Sequence, residues 1–396
     1  MNAPLQLPAL EEIRAHEAEM IAIRHKIHAN PELAYEEHAT ADLVADCLQR
    51  WGCEVHRGLG VTGVVGTLRA GTSTRRIGLR ADMDALPIKE ASGKPWASQV
   101  LGKMHACGHD GHTAMLLAAA RHLAATRRFD GIVHLVFQPA EEGYGGAKRM
   151  LDDGFLELFP CEAMFGMHNG PAKPAGKFIA VPGYAMASSD TCIIRVHGTG
   201  GHGAMPQHAV DPVVAASAIV MALQTIVSRN VPPLQTGIVT VGAFHAGEAP
   251  NVIPGTAELR LTVRAFKPEV RDLLQQRITE IAQQQAAVFG ARAEVDYQRR
   301  YPMLYNHPKE TAFCERVVRE WLGDEGLLAD EPVTGSEDFA FFLEKVPGCY
   351  VFIGNGEGED GGCMVHNAGY DFNDRCLSTG ASYWVRLAEA WLKPGG

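Results

Sequence analysis

The strongest constraint on how this chain can fold is a repeated local pattern. Short apolar runs closed off by glycine alternate with a stretch rich in alanine and leucine. Gly63-Val64-Val65-Gly66, Ile77-Gly78-Leu79-Arg80 and Ile132-Val133-His134-Leu135-Val136-Phe137 read as strands. Ala114 to Ala125, between the last two, reads as helix. Leu10 to Trp51 has helical spacing, with a break at Asn30-Pro31-Glu32 and a fresh start after it. Strands alternating with helices argue for an α/β fold whose mainly parallel mixed sheet is sandwiched by helices.

The rhythm changes near Ser188. Thr191 to His197 reads as strand, Asp211 to Ser228 as amphipathic helix, and Gly237 to Ala243 and Thr256 to Arg264 as two strands. Pro268 to Phe289 is then helix and Ala291 to Tyr297 strand. This βαββαβ order is that of a ferredoxin-like α+β unit, here an insertion of about a hundred residues. After Pro302 the first pattern resumes, with a helix over Thr311 to Leu322, a strand over Cys349 to Ile353 and a last helix over Thr379 to Leu392. The expected domains are therefore 1–187 with 302–396, and an inserted domain over 188–301.

Composition narrows the function. With 36 Lys and Arg against 46 Asp and Glu, the chain has net charge −10 and lacks the basic field that nucleic acid requires. No apolar run approaches the roughly 18 residues of a membrane span, so no membrane association is expected. Met1-Asn2-Ala3-Pro4 shows no secretion signal. Nine scattered cysteines, an odd number, suit reduced thiols and a cytoplasmic location.

Chemistry-bearing residues gather where the predicted strands end, which is where open α/β sheets place their sites. Met104-His105-Ala106-Cys107-Gly108-His109-Asp110-Gly111-His112 is the densest cluster. Cys107 and His109 are two apart and can face one ion, although a solvated His-rich turn with a buried cysteine would read the same way. Glu141 and Glu142 in Phe137-Gln138-Pro139-Ala140-Glu141-Glu142-Gly143 follow a strand, so one carboxylate can bind metal while the other takes a proton. A surface acidic turn is the plainer alternative. His168 in Gly166-Met167-His168-Asn169 and His366 in Met364-Val365-His366-Asn367 each follow a short apolar segment. Asp82 and Asp84 stand at another strand end, where they can orient a ligand or simply cap a turn.

Taken together, these motifs resemble the aminoacylase-like family of two-metal metallopeptidases and amidohydrolases. The nearest branch is that of hippurate hydrolases and indole-acetyl-amino-acid amidohydrolases. The resemblance extends through Asn30-Pro31-Glu32-Leu33, Gly201-His202-Gly203-Ala204, Asn251-Val252-Ile253-Pro254, Gly335-Ser336-Glu337-Asp338-Phe339 and His366 to Asp371. It implies a zinc-exopeptidase-like fold with an inserted lid and dimerisation domain. It also implies metal ligands at Cys107, His109, Glu142, His168 and His366, with Cys107 in the bridging place that an Asp fills in many relatives. Glu141 matches the general base and Asp84 the acid that orients chemistry beside the metals. Asp82 stands where relatives outside the branch have a His ligand, while His105 and His112 are implied to be structural. In the lid, His202 matches the group that reaches the substrate carbonyl oxygen. Asn251 and Arg264 match a pair that holds the substrate carboxylate, and Ser336 is a further substrate-binding position.

The activity so implied is hydrolysis of the amide bond of N-acyl-amino acids, by a metal-bridged water with Glu141 as base. The implied cofactors are two divalent ions per subunit, zinc or manganese first, then cobalt or nickel. The substrate is a small molecule, and a homodimer or higher homo-oligomer is expected through the lid. A dipeptidase or carboxypeptidase, or a deacetylase of a metabolic intermediate, would use the same site. A thiol nucleophile on Cys107 and His109 would not require Glu142, His168 and His366. A metal-storing or peptide-binding module would not require Glu141.

Overall fold

The computed structural model describes residues 7–393. The chain forms two compact units, one of residues up to 183, 305–331 and from 341 onward, the other of 184–304 and 332–340. The second unit thus takes in 332–340, which the sequence reading places in the first domain. No helical or alternating period marks that segment, and backbone bonds settle its place. Val333 N–H donates to Ala185 O at 3.0 Å, and Ala187 N–H donates to Gly335 O at 3.0 Å.

The first unit is built on seven strands: β1 (Glu54–Leu59), β2 (Gly63–Ala70), β3 (Arg76–Asp82), β4 (Gly131–Gln138), β5 (Ala163–Pro171), β6 (Phe178–Ile179) and β7 (Gly348–Gly356). Their order is β1-β2-β4-β3-β5-β7-β6. The four central strands β4, β3, β5 and β7 run parallel, while β1, β2 and β6 attach antiparallel at the edges. Every residue of β4 is buried, which is why its sequence is a continuous apolar run. β1 was not anticipated, because Glu54-Val55-His56-Arg57-Gly58-Leu59 is too polar and too exposed to give an apolar signal.

Helices α1 (His38–Arg50), α2 (His109–Thr126), α3 (Pro308–Leu322) and α4 (Leu377–Trp391) share one core with the sheet. Val44, Leu48, Leu116, Val317 and Trp384 meet Leu68, Leu79, Leu135, Phe165 and Val351 there. The opposite face is covered by aromatic side chains. His134 meets Phe159 at 5.3 Å between ring centres, and Phe155 meets Phe342 at 5.3 Å. A sheet buried on both faces leaves its polar work to the strand ends.

In the second unit, strands Gly237–Ala246, Thr256–Ala265, Ser189–His197 and Arg292–Tyr301 lie side by side in that order, all antiparallel. Numbered by chain position this is 2-3-1-4, the ferredoxin-like arrangement. Helices Pro212–Thr225 and Pro268–Val288 bury Ile219, Leu223, Leu274 and Ile278 against Ile194, Leu259 and Leu261. Residues 212–230 are long and apolar enough to cross a membrane by composition alone, contrary to the expectation that no such run exists. Here they pack one face into the unit's core and leave Val214 and Met221 exposed.

Two glycines let α2 begin where it does. Gly108 sits at φ +97°, and a Cβ on it would meet the side chains of Asn169 and Tyr370. A Cβ on Gly111 would collide with the Phe372 ring. Gly111→Ala is therefore expected to cost about 1–3 kcal/mol by overpacking. Denaturant unfolding measures this, and an unchanged midpoint would mean the ring moves aside freely.

Candidate metal centre

Three parallel strands and two loops bring the predicted ligands together. β3 ends at Asp82 and carries the chain to Asp84, β4 leads into Glu141 and Glu142, and β5 holds His168 within the strand itself. Cys107 comes from the loop entering α2, His109 from the first position of that helix, and His366 from a loop after β7, at φ +62°. The expectation that both His168 and His366 directly follow strands is thus corrected. His168 belongs to a strand extended by pairing with β7, and His366 is placed by its own N–H donating to Ala106 O at 2.7 Å.

Ligand atoms of Cys107, His109 and His168 all lie within 4.8 Å of one another, and so do those of Cys107, Glu142 and His366. The two sets share only the Cys107 sulfur. His109, Glu141 and Glu142 form a third such group, so Glu141 stands beside both sets while belonging to neither. The Cys107 Sγ is 3.3 Å from His168 Nε2, and Glu142 Oε1 is 3.3 Å from His366 Nε2 and 3.9 Å from His109 Nε2. The five predicted ligands, Glu141 and Asp84 all meet in this one region.

Hydrogen bonds at the far side of each ring settle which nitrogen is free. His109 Nδ1 donates to Asp84 Oδ1 at 3.2 Å, and His168 Nδ1 donates to Asn169 O at 2.7 Å. In each case Nε2 is left to face the cluster. His109 Nε2 and Glu142 Oε1 are buried with no hydrogen-bond partner. Asp84 also accepts from Glu142 N–H at 2.9 Å, so one carboxylate orients two ligand-bearing residues.

The electrostatics are those of a site awaiting cations. Burial together with Glu142, Glu141 and Asp82 holds the Cys107 thiol well above its ordinary range. Burial pushes the His109 imidazolium down, but Asp82, Asp84 and Glu142 outweigh it and raise His109 to about 10. Burial and the nearby His112 keep His168 neutral, as a ligand must be. In the form that binds metal, with Cys107 and His109 having given up their protons, a thiolate, three imidazoles and a carboxylate this close together need compensating positive charge, and the donor set is one that zinc and its neighbours accept. By this test the residues fit two metal ions.

The further group of Asp82, His109 and His112 also has ligand spacing, but the atoms of Asp82 and His112 are already engaged. Asp82 accepts from Arg80 at 2.6 Å and from His112 Nδ1 at 2.6 Å, and His112 Nε2 accepts from Asn169 N–H at 3.0 Å. Asp82 and His112 brace the centre from outside.

The second unit gathers part of its predicted set. His202 and Val252 pair across a short ribbon, Gly201–His202 against Val252–Ile253, and Gly203 N–H donates to Asn251 O at 2.8 Å. His202 and Asn251, about fifty positions apart in sequence, are therefore neighbours, both exposed. His202 lies in one strand of this ribbon. Arg264 lies at the other end of the sheet, where its Nη1 donates to Thr262 Oγ1 at 2.7 Å and to Val263 O at 3.0 Å. Ser336 is half-buried in the 332–340 segment.

Comparison with known proteins agrees with this geometry. The model of peptidase family M20/M25/M40 matches residues 78–390. The chain belongs to that family. It is 44% identical over 385 residues to hippurate hydrolase of Campylobacter jejuni, covering 97% of this chain and 99% of the relative. It is 41% identical over 379 residues to IAA-amino acid hydrolase ILR1-like 2 of Arabidopsis thaliana, covering 94% and 85%. Among solved structures, a dinuclear metal-binding peptidase of the M20 family from Bacillus subtilis superposes with TM-score 0.84 at 32% identity, covering 96% of this chain and 99% of that one. The family and branch anticipated from the motifs, and the zinc-exopeptidase-like fold, are those found.

Glu37 was missed by sequence reasoning. It is fully buried, accepts from Ala140 N–H at 2.8 Å and from the Thr62 hydroxyl at 2.6 Å, and so pins the turn that presents Glu141 and Glu142. Ala140 is held there at φ +56°. Only an acid unexplained by charge pairing in Glu36-Glu37 could have signalled it. Burial raises the Glu37 carboxyl from 4.5 to about 7, against the Thr62 hydrogen bond. Between those values the folded chain keeps a proton that the unfolded chain has lost, so stability falls as pH rises through that window. Glu37→Gln keeps the shape and removes the titration. Its melting temperature relative to the natural chain is expected to rise between about pH 5 and about pH 8, and parallel pH profiles would contradict the assignment.

Proposed function

We propose that this chain hydrolyses the amide bond of N-acyl-amino acids with two divalent ions. The observation that carries this is the pair of ligand sets sharing the Cys107 sulfur, with Glu141 beside both. The relatedness to hippurate hydrolase and to IAA-amino acid hydrolase supports the substrate class, an acyl group in amide linkage to an amino acid. Cys107, His109 and His168 would hold one ion, and Cys107, Glu142 and His366 the other. When bound, such ions acidify a water and polarise the scissile carbonyl.

The chain's own residues supply the rest. Glu141 takes the proton from the attacking water and returns it to the leaving nitrogen. Asp84 keeps the His109 ring turned with Nε2 inward and fixes the backbone of Glu142. From the second unit, His202 is assigned to the carbonyl oxygen, where negative charge develops, and Arg264 and Ser336 to the substrate carboxylate; Asn251, beside His202 at the opposite end of the sheet from Arg264, is assigned to the same carboxylate only from a second copy of the chain. The thiolate and imidazole donors favour zinc, with manganese, cobalt and nickel as competitors. All nine cysteines are free, which suits a reducing, cytoplasmic setting for a site that depends on one of them. A homodimer through the second unit would cover the exposed Val214 and Met221 on helix Pro212–Thr225.

Purified protein is expected to hydrolyse hippurate or other N-acyl-amino acids faster than N-acetylated intermediates or dipeptides. It should lose that activity on chelation and regain it with zinc or manganese. Preference for dipeptides would move the reading to a peptidase, and activity indifferent to chelation would end it. Glu141→Gln is expected to lower kcat about 10²–10⁴-fold with metal content unchanged. Elemental analysis beside steady-state kinetics checks both halves.

A further inference from the structure

The metal centre needs its bridging sulfur held in place, and no side chain of the candidate ligand set does this. Cys107 lies on a loop, and its thiol is flanked by groups that repel a thiolate. What anchors the loop is Asn169, a buried side chain next to His168 that the catalytic reading leaves unused. Its Nδ2 donates to the Cys107 carbonyl at 2.6 Å, and its Oδ1 accepts from the Tyr370 hydroxyl at 2.7 Å. Its backbone carbonyl accepts from His168 Nδ1 at 2.7 Å, and its backbone N–H donates to His112 Nε2 at 3.0 Å.

These four bonds join three ligand-bearing segments that are remote in the chain. Cys107 belongs to the loop before α2, His168 to β5, and Tyr370 to the loop that carries His366 four residues earlier. The direction of each bond is fixed. Asp82, ion-paired to Arg80, takes the proton-bearing Nδ1 of His112 at 2.6 Å, so Nε2 can only accept. Asn169 Nδ2 is a further 3.1 Å from that same nitrogen, which requires the amide nitrogen and not its oxygen on that side. The amide oxygen is thereby turned to Tyr370. Gly108 leaves the space: a Cβ at that position would strike both Asn169 Nδ2 and the Tyr370 hydroxyl.

We propose that Asn169 is the positioning residue of the metal centre, setting the Cys107 sulfur between the two ligand sets by tying its backbone to β5 and to the His366 loop. This rests on the two-ion reading above. It assigns Asn169 no contact with substrate or ion. Removing its amide leaves the Cys107 carbonyl and the Tyr370 hydroxyl without partners and frees the loop to shift, and changes of this kind beyond the ligands typically cost 10–100-fold in metal affinity.

The test uses the full chain, stripped of metal and titrated with cobalt(II) as the probe. Stoichiometry, affinity and the thiolate-to-cobalt absorption band are recorded with the melting temperature of the metal-free protein. Asn169→Ala is expected to bind cobalt about 10–100-fold more weakly with a reduced thiolate band in protein that is still folded. Tyr370→Phe keeps the ring and removes one bond of the hub, so it should shift affinity and band in the same direction by a smaller factor. It decides the matter if the alanine variant does not fold. Folded variants that take up two cobalt ions with natural affinity and an unchanged band would overturn the role of Asn169. Natural protein that binds no cobalt, or a Cys107→Ser variant that keeps the band, would overturn the two-ion reading itself.

Discussion

A concentration of negative charge and ligand atoms, buried where three parallel strands end, governs the architecture of this protein. Asp82, Asp84, Glu141, Glu142 and the Cys107 thiol crowd around His109, with Arg80 paired to Asp82 from behind. Taking carboxylates out of water is costly unless each finds a cation or a donor. Arg80, His112 and backbone N–H groups satisfy those on the outside. Among the described residues, the inward-facing atoms, His109 Nε2 and Glu142 Oε1, have no hydrogen-bond partner. The surrounding fold holds these ligand atoms facing one another.

Holding it takes a rigid frame. The four parallel strands are buried on both faces, so side chains at their ends are displaced only if the sheet itself deforms. Around them, three of the candidate ligands are oriented by a hydrogen-bond partner: Asp84 for His109, the Asn169 carbonyl for His168, and Asp84 again for the backbone at Glu142. Glu37 does for the Glu141–Glu142 turn what Asp84 does for the imidazole. The second unit is of another kind. Its four-stranded sheet buries one face under two helices, and its predicted substrate residues stand on a small exposed ribbon, near the end of an inner strand and in a loop.

Much of this could be read from the chain alone. The apolar runs gave β2, β3, β4 and the middle of β7 because strands buried on both faces are largely apolar, whereas β5 was read only as a short apolar segment before His168. The helices of the inserted unit were legible because amphipathic periodicity survives in Pro268–Val288. Strand β1 was lost because an exposed edge strand needs no apolar face. Residues 332–340 were placed in the other unit because no helical or alternating period marks them, and the backbone bonds of Val333 and Gly335 leave no trace in side-chain pattern. Among site residues, the candidate ligands stood out because Cys, His and Glu are chemically conspicuous. Glu37, Asn169 and Tyr370 were not, since a buried acid or amide looks like any surface one until its surroundings are known.

The sequence by itself determined which atoms are available to bind metal and to carry a proton, because that chemistry resides in side-chain identity. It determined the alternation of strands and helices for the same reason, through local periodicity. The resemblance implied a bridging Cys107 and a structural His112; only the tertiary structure decided which imidazole nitrogen faces inward and that Asp82 is taken up by Arg80 and His112. Those outcomes depend on distances of a few ångströms between segments tens to hundreds of residues apart. Such distances are set by packing and mutual hydrogen bonding, which no single stretch of chain encodes.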